Sequence, residues 1–230
     1  YFITQNSHYE TDCKNFGIAH VTHDVLQFIV EKPVHFQFIP GQATDVSINQ
    51  KDWINEKRSF TLTSVPNNDF LEFTIKTYPD RKGVTNQLLS LTKEDELILH
   101  GVFGDIRYQD EGVFIAGGAG VTPFLSIFRH LREMDSVGNN KLIFANKTRA
   151  DIIHEEELDN LLGDHFINVL SEQEIPGYKH GFITRDILES RLMPNNSYVY
   201  VCGPPPMMKS IEKILVELNI QDQFIIKESF

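Results

Sequence analysis

A chain of 230 residues, 41% hydrophobic and 23% charged, can bury a full core and suits one large or two small globular domains. Its formal charge of −11 repels a nucleic-acid backbone, and the absence of any apolar run near the ~20 residues that span a bilayer argues against membrane insertion. Two cysteines, Cys13 and Cys202, form neither a disulfide framework nor a four-cysteine iron–sulfur set, the histidines do not fall at metal-ligand spacing, and a reducing cytoplasm is the expected compartment.

The opening Tyr1-Phe2-Ile3-Thr4 lacks the basic and apolar regions of a secretory signal, and it has no initiator methionine, which leaves room for native residues before Tyr1. From about His8 to Tyr108 the chain is a series of short β-prone runs cut by turn signals. Strands are predicted at Phe16–His20, Val25–Glu31, Thr44–Ile48, Ser59–Thr63, Leu71–Thr77 and Glu96–His100, with Lys32-Pro33, Pro40-Gly41, Pro66-Asn67-Asn68-Asp69 and Pro79-Asp80 between them. This spacing predicts an antiparallel sandwich or barrel, interrupted by one short helix over Val84–Leu91.

After Gly112 the rhythm changes. Strands at Val113–Ala116, Lys141–Asn146, Phe166–Leu170, Tyr198–Cys202 and Phe224–Lys227 alternate with helices near 123–135, 151–161, 184–192 and 205–218, the pattern of a parallel sheet with helices on its faces. The boundary falls near Asp110 and divides the chain into 1–109 and 110–230. Phe124, Leu125, Ile127, Phe128, Leu131 and Met134 recur at helical spacing, with Ser126, Arg129, Arg132, Glu133 and Asp135 between them, so this segment is predicted to be an amphipathic helix.

Five stretches carry chemistry. In Arg58-Ser59-Phe60-Thr61-Leu62-Thr63-Ser64, strand alternation sets Arg58, Phe60 and Leu62 on one side and the hydroxyls on the other, offering a fork for phosphate, an aromatic face and a hydrogen bond. Lys82-Gly83-Val84-Thr85-Asn86-Gln87 opens a helix with a glycine and a hydroxyl, an arrangement suited to an anion. Gly117-Gly118-Ala119-Gly120-Val121-Thr122-Pro123 turns a strand into a helix, with Thr122 as the expected N-cap and Pro123 where a proline costs nothing, and leaves room for a pyrophosphate against bare N–H groups. Cys202-Gly203-Pro204-Pro205-Pro206-Met207 ends a buried strand at the edge where open α/β sheets bind ligands. Glu228-Ser229-Phe230 closes the chain with an acid and an aromatic. His154 and His180 are expected on the surface, and Glu155-Glu156-Glu157 favours a helix N-terminus electrostatically.

In this order the stretches resemble the ferredoxin–NADP reductase superfamily, marked by R-x-[YF]-[ST]-x-x-S, a glycine–hydroxyl phosphate turn, G-G-x-G-x-T-P, C-G-P-P and a late E-x-[YF], here spread over residues 40 to 230. The resemblance implies an N-terminal antiparallel β-barrel of Greek-key type that binds FAD and a C-terminal α/β parallel-sheet domain that binds NAD(P)H. Arg58 would hold the flavin pyrophosphate together with Ser59, Phe60 would stack on the isoalloxazine, and Thr61 would sit near its N5. Gly83, Val84 and Thr85 would bind the second phosphate region, and Lys76 belongs to the same flavin-binding set. Gly118, Gly120, Val121 and Thr122 would receive the nucleotide pyrophosphate, with Cys202, Gly203, Pro204, Met207 and Glu228 around the nicotinamide and Phe230 covering the flavin. Thr61, Cys202, Glu228 and Phe230 form the implied catalytic set.

Where NADP-using relatives carry a serine and an arginine, this chain has Ser171-Glu172. A carboxylate there repels a 2′-phosphate and can accept from a free 2′-hydroxyl, whereas Lys147 and Arg149 pull the other way, so the balance leans to NADH. The implied activity is an FAD-dependent NAD(P)H oxidoreductase that passes electrons to a separate ferredoxin, flavodoxin or oxygenase component. The alternatives are a non-catalytic flavin- or nucleotide-binding redox-regulatory module, and an electron-transfer subunit of a larger complex.

Overall fold

The computed structural model describes residues 10–192 and 197–228. The first half consists of β1 (Thr11–Thr22), β2 (Val25–Glu31), β3 (Ala43–Ile48), β4 (Arg58–Thr61), β5 (Phe70–Lys76), the one-turn helix α1 (Val84–Gln87) and β6 (Glu96–Phe103). These strands form an antiparallel sheet in the order β4-β3-β6-β1-β2-β5, with β6 returning between β3 and β1 as in a Greek key. The outer strands meet through a bridge from Leu62 to Phe73 and a hydrogen bond from the Thr63 amide to the Glu72 carbonyl at 2.7 Å, which close the sheet into a barrel. Phe28, Val46, Ile48, Leu62, Phe73, Leu97 and Leu99 fill it, and Val84 and Leu88 pack against them. β1 is longer than predicted because its first half pairs with β6 and its second half with β2. The helix expected over Val84–Leu91 is one α turn followed by a 3₁₀ turn at Leu88–Ser90.

The second half consists of β7 (Gly112–Gly117), α2 (Thr122–Glu133), β8 (Lys141–Asn146), α3 (Glu155–Leu162), β9 (Phe166–Leu170), β10 (Lys179–His180), α4 (Arg185–Glu189), β11 (Tyr198–Cys202), α5 (Pro205–Glu217) and β12 (Ile225–Lys227). The sheet is parallel, in the order β10-β9-β8-β7-β11-β12. β10 has only two residues, too few to leave a periodicity, and was not foreseen. β7 is buried along its whole length, as a central strand covered on both faces must be. α4 and α5 cover one face through Leu188, Met208, Ile211 and Leu215. α2 and α3 cover the other, where Phe114, Phe124, Leu125 and Phe128 share a core with Val25 and Ile106 from the barrel side.

That shared core changes the expected role of the α2 polar stripe. Ser126 and Arg129 face the barrel, because α2 lies between the sheet and the barrel. The Ser126 hydroxyl donates to the Ser64 carbonyl at 3.0 Å, and Arg129 Nη1 donates to the Thr63 carbonyl at 2.8 Å and to Glu72 at 2.6 Å. Arg129 Nε and Nη2 reach the two carboxylate oxygens of Glu157 on α3, each at 2.7 Å. Burial alone would lower the Arg129 pKa, but the hydrogen bonds to Glu157 and the charge of Glu72 hold it above its ordinary value. His154, expected on the surface, has a side chain only 16% exposed beside Glu157 and caps α3 from a left-handed backbone conformation, because the start of α3 is pressed against α2.

Tyr200 on β11 anchors the connection between the two sheets. Its ring stacks on Phe114 at 4.1 Å, and its hydroxyl accepts from the Gln109 and Asp110 amides at 2.9 and 3.1 Å while donating to the Asp110 carbonyl at 2.8 Å. Burial pushes its pKa up to about 12. Tyr200→Phe keeps the packing and orphans two amides, so a loss of about 1–3 kcal/mol is expected. Urea unfolding checks this through a lower midpoint at an unchanged slope.

Candidate active site between barrel and sheet

Strand order reverses between β7 and β11, so the crevice at the C-terminal edge of these two strands is where an open α/β sheet accepts a ligand. Gly117 ends β7, Gly118 takes a positive φ of 51°, and a 3₁₀ turn over Gly118–Val121 runs directly into α2. That turn corrects the expected cap. Val121 is the N-cap and Thr122 lies in the helix, where its hydroxyl donates back to the Ala119 carbonyl at 2.9 Å. The 3₁₀ turn already supplies the bend that an N-cap side chain would otherwise stabilise. Pro123 sits in the first turn, as expected.

The turn presses on the end of β11. A Cβ on Gly120 would drive into the Cys202 carbonyl, and one on Gly117 would meet Met207 Sδ and Pro204 Cδ at 2.6 and 2.9 Å. Nothing lies within 4 Å of the corresponding point on Gly118. Gly118 therefore opens onto space beside the α2 N-terminus, while Gly120 lets Cys202 and Gly203, and Gly117 lets Pro204 and Met207, close on the turn.

A cavity of about 410 Å³ lies between the barrel and Glu228, the residue after β12, and is lined by Ala43, Ser59, Thr61, Phe103, Gly104, Asp105 and Glu228. Its size suits a ring system. Ser59 donates to Asp45 at 2.7 Å. Burial raises the Glu228 carboxyl, and the charge of Asp105 adds to the shift. Burial likewise pushes the Cys202 thiol up to about 12, with Glu228 contributing, which favours the neutral thiol over the thiolate. Asp105, Phe103 and Ala43 were not singled out from sequence. The Phe103-Gly104-Asp105 corner, with Gly104 at φ 123°, was the available signal.

The remaining candidates are more scattered. Phe60 is absent from the cavity lining and packs half-buried on the barrel core, as its place opposite Ser59 and Thr61 on β4 requires. The exposed Arg58 turns back to donate to the Lys57 carbonyl at 2.6 Å. Gly83 faces open space next to Thr85, and Val84 is buried, so its side chain serves the core and only its backbone is left for a ligand. Lys76 pairs with Asp24 at 2.6 Å. His23, Asp24 and Asp151 come within 4.8 Å of one another, but Lys76 already neutralises Asp24. Phe230 lies outside the described residues.

A second hollow of about 760 Å³ opens at the C-terminal ends of β8 and β9, lined by Thr148, Arg149, Ala150, Glu155, Glu172 and Gln173. Backbone bonds from the Ser171 and Glu172 amides to the Asn146 and Lys147 carbonyls fix its floor at 3.0 and 2.9 Å. Lys147 pairs with Glu172 at 2.9 Å, and Arg149 with Glu155 at 3.0 Å while lying over the Tyr178 ring. Both cations near this hollow are thus engaged by carboxylates. His180 is exposed, as expected.

Comparison with known proteins gives two family matches, to an FAD-binding domain over residues 10–133 and to an oxidoreductase NAD-binding domain over residues 114–213. The chain is 34% identical to the reductase component of propane 2-monooxygenase from Mycolicibacterium smegmatis, over 77% of this chain and 54% of that one. It is 27% identical to the glycine betaine monooxygenase reductase subunit of Chromohalobacter salexigens, over 88% and 59%. The chain thus spans between half and three fifths of these relatives' length. Among solved structures, the CS-b5R domains of human Ncb5or in the NAD+ form superpose with a TM-score of 0.84 at 26% identity, covering 99% of this chain and 71% of that one.

Gly120→Ala forces the glycine turn away from the end of β11. Affinity for a pyridine nucleotide is expected to fall at least roughly tenfold while flavin content is retained, since the strain of such overpacking is typically about 1–3 kcal/mol. Isothermal titration alongside the visible spectrum measures both.

Proposed function

We propose that this chain, which belongs to the FAD- and NAD-binding oxidoreductases of the ferredoxin–NADP reductase type, takes reducing equivalents from NADH and passes them through FAD to an oxygenase component. The observation that carries the reading is the cavity in which Thr61 of the barrel and Glu228 of the last segment meet. FAD binding is assigned to residues 1–109 and nucleotide binding to residues 110–230.

The residues present fit these groups. Gly118 gives a pyrophosphate open space at the start of a twelve-residue helix. Arg58 and the Gly83–Thr85 turn supply a guanidinium and a hydroxyl at exposed ends of the barrel for the flavin phosphates. When bound, FAD would supply the capacity to take two electrons as hydride from a reduced nicotinamide and to give them up one at a time, chemistry that belongs to the cofactor. The chain contributes position and exclusion of water. Thr61 offers its hydroxyl to the ring edge, Cys202 presents a neutral thiol beside the nicotinamide, and Glu228 holds a proton on its carboxyl to higher pH than an ordinary glutamate, which limits negative charge at the reacting edge. Phe230 is assigned as the cover of the flavin face. Phe60 offers its exposed side to the flavin from the barrel core.

The donor reading rests on the second hollow. Lys147 and Arg149, the cations that would hold a 2′-phosphate, are paired with Glu172 and Glu155, and Ser171-Glu172 presents a carboxylate to a 2′-hydroxyl. The oxygenase acceptor is supported by relatives that are reductase components of monooxygenases. Among the described residues no helix is long and apolar enough to cross a membrane.

Anaerobic addition of NADH to the FAD-loaded protein should bleach the flavin band rapidly, and NADPH should act more slowly. A yellow protein bleached by neither would instead favour a redox-regulatory module. Glu172→Ala removes a solvent-screened repulsion of a 2′-phosphate and frees Lys147, so NADPH reduction should speed up by up to about tenfold. Lys57→Glu with Lys82→Glu should slow reduction of an acidic protein carrier but not of a small dye. Equal loss with both acceptors would exclude a docking role for these lysines.

A further inference from the structure

Arg129 belongs to none of the assigned binding sites, yet it is the most heavily engaged polar side chain at the junction of the two sheets. Four short hydrogen bonds leave its guanidinium for three different elements: the segment after β4, β5 and α3. Its two carboxylate partners are themselves fixed. Glu72 accepts from the Thr63 hydroxyl at 2.8 Å, and Glu157 has His154 Nδ1 at 3.7 Å and Arg132 Nη1 at 3.9 Å besides Arg129. Ser126, one helical turn before Arg129, is fully buried and donates to Ser64.

The placement of these contacts along the chain is informative. Thr63 and Ser64 follow Thr61 by two and three residues, about 7–10 Å in extended chain. Ser126 follows Thr122 by one turn of α2, about 6 Å along the axis. Ser126 thus ties the segment just beyond Thr61 to α2 one turn from the glycine turn, and Arg129 adds a second tie one turn further along the helix. Apolar packing between Val25, Ile106 and α2 resists separation but tolerates sliding. A planar fork with fixed partners does not. Buried ion pairs add little net stability, because desolvation offsets their attraction, so geometry is the stronger reason for placing one here.

We propose that Arg129, seconded by Ser126, is a positioning residue for hydride transfer: by locking Thr63, Ser64 and Glu72 to α2 and α3 it fixes the distance between the flavin held by the barrel and the nicotinamide held by the sheet. The proposal rests on the functional reading above. Transfer requires the reacting atoms roughly 3–3.5 Å apart, and a displacement of about 1 Å costs on the order of a hundredfold. A lysine in place of Arg129 keeps the charge and loses the fork.

The test uses the FAD-loaded protein and its Arg129→Lys, Arg129→Met and Ser126→Ala variants. Stopped-flow reduction by NADH separates the limiting rate from the apparent nucleotide affinity. A second readout, independent of turnover, is the long-wavelength absorbance that appears when NAD+ is added to dithionite-reduced protein and reports overlap of the two rings. Arg129→Lys should retain FAD and bind NADH within about twofold of the parent, while the limiting rate falls roughly ten- to hundredfold and the absorbance weakens. Ser126→Ala should show the same signature more mildly. If Arg129→Met fails to fold, the other two variants decide. An unchanged limiting rate and absorbance alongside a lower melting temperature would overturn the proposal, leaving Arg129 a purely structural residue. Loss of FAD from Arg129→Lys would overturn it equally. A parent protein that NADH does not bleach would overturn the functional reading and this inference together, whereas a bleached parent with equally fast variants would sink the inference alone.

Discussion

Helix α2 has almost no side of its own to give to water. Its aromatic and aliphatic face fills the core against β7, and Ser126 and Arg129 are turned into the barrel. A charged side chain enters such a place only when its charge is matched, since an unpaired buried guanidinium would cost several kcal/mol, and here four of the five donors are bonded. The five donors of an arginine suit a gap lined by one carbonyl and two carboxylates, and the relative placement of both sheets follows from satisfying them. The ligand crevice is then a by-product of that arrangement. The glycine turn and the cavity at Thr61 lie at opposite ends of the same short lever.

The clamp also responds to acid. Burial works to raise the Glu157 carboxyl, but Arg129 outweighs it and holds the pKa below the ordinary 4.5, so the stabilisation is present above that value and is lost as pH falls through the lower, folded-state one. His154 is held below its ordinary 6.5 by burial and then by Arg129, and a proton forced onto it adds a second cation beside the first. The unfolded chain takes up both protons more readily than the folded one. The His154 share of the loss sets in as pH falls below its ordinary 6.5, whereas Glu157 keeps its charge to more acid pH than a carboxylate without such a partner.

Much of the fold was legible because its signals are local. Turn residues punctuated the barrel strands, and the change from strand-only to strand–helix rhythm near Asp110 marked the second sheet. The glycine turn and Cys202 were likewise readable, because both sit at strand ends with unmistakable composition. Signals that depend on a distant partner were not. Arg129 and Ser126 read as a solvent face, because nothing in α2 discloses that Glu72, Thr63 and Ser64 wait opposite, and His154 read as a surface residue for the same reason. The Thr122 cap failed differently: a 3₁₀ lead-in uses the same glycines as an ordinary turn, so the two cannot be told apart by residue type. Asp105 reaches the cavity only because β6 runs on past His100 to Phe103.

The seam that closes the barrel has a consequence for how such chains diversify. Leu62, Thr63, Glu72 and Phe73 join the barrel's two outer strands, and two of these four residues are also gripped by Arg129. The barrel is thus sealed partly by its neighbour. A recombination event that joined this barrel to an unrelated nucleotide-binding half would bring a foreign helix against an unfinished seam. Exchange of either half therefore costs the barrel seam its Arg129 contacts to Thr63 and Glu72 unless the incoming helix brings an equivalent donor.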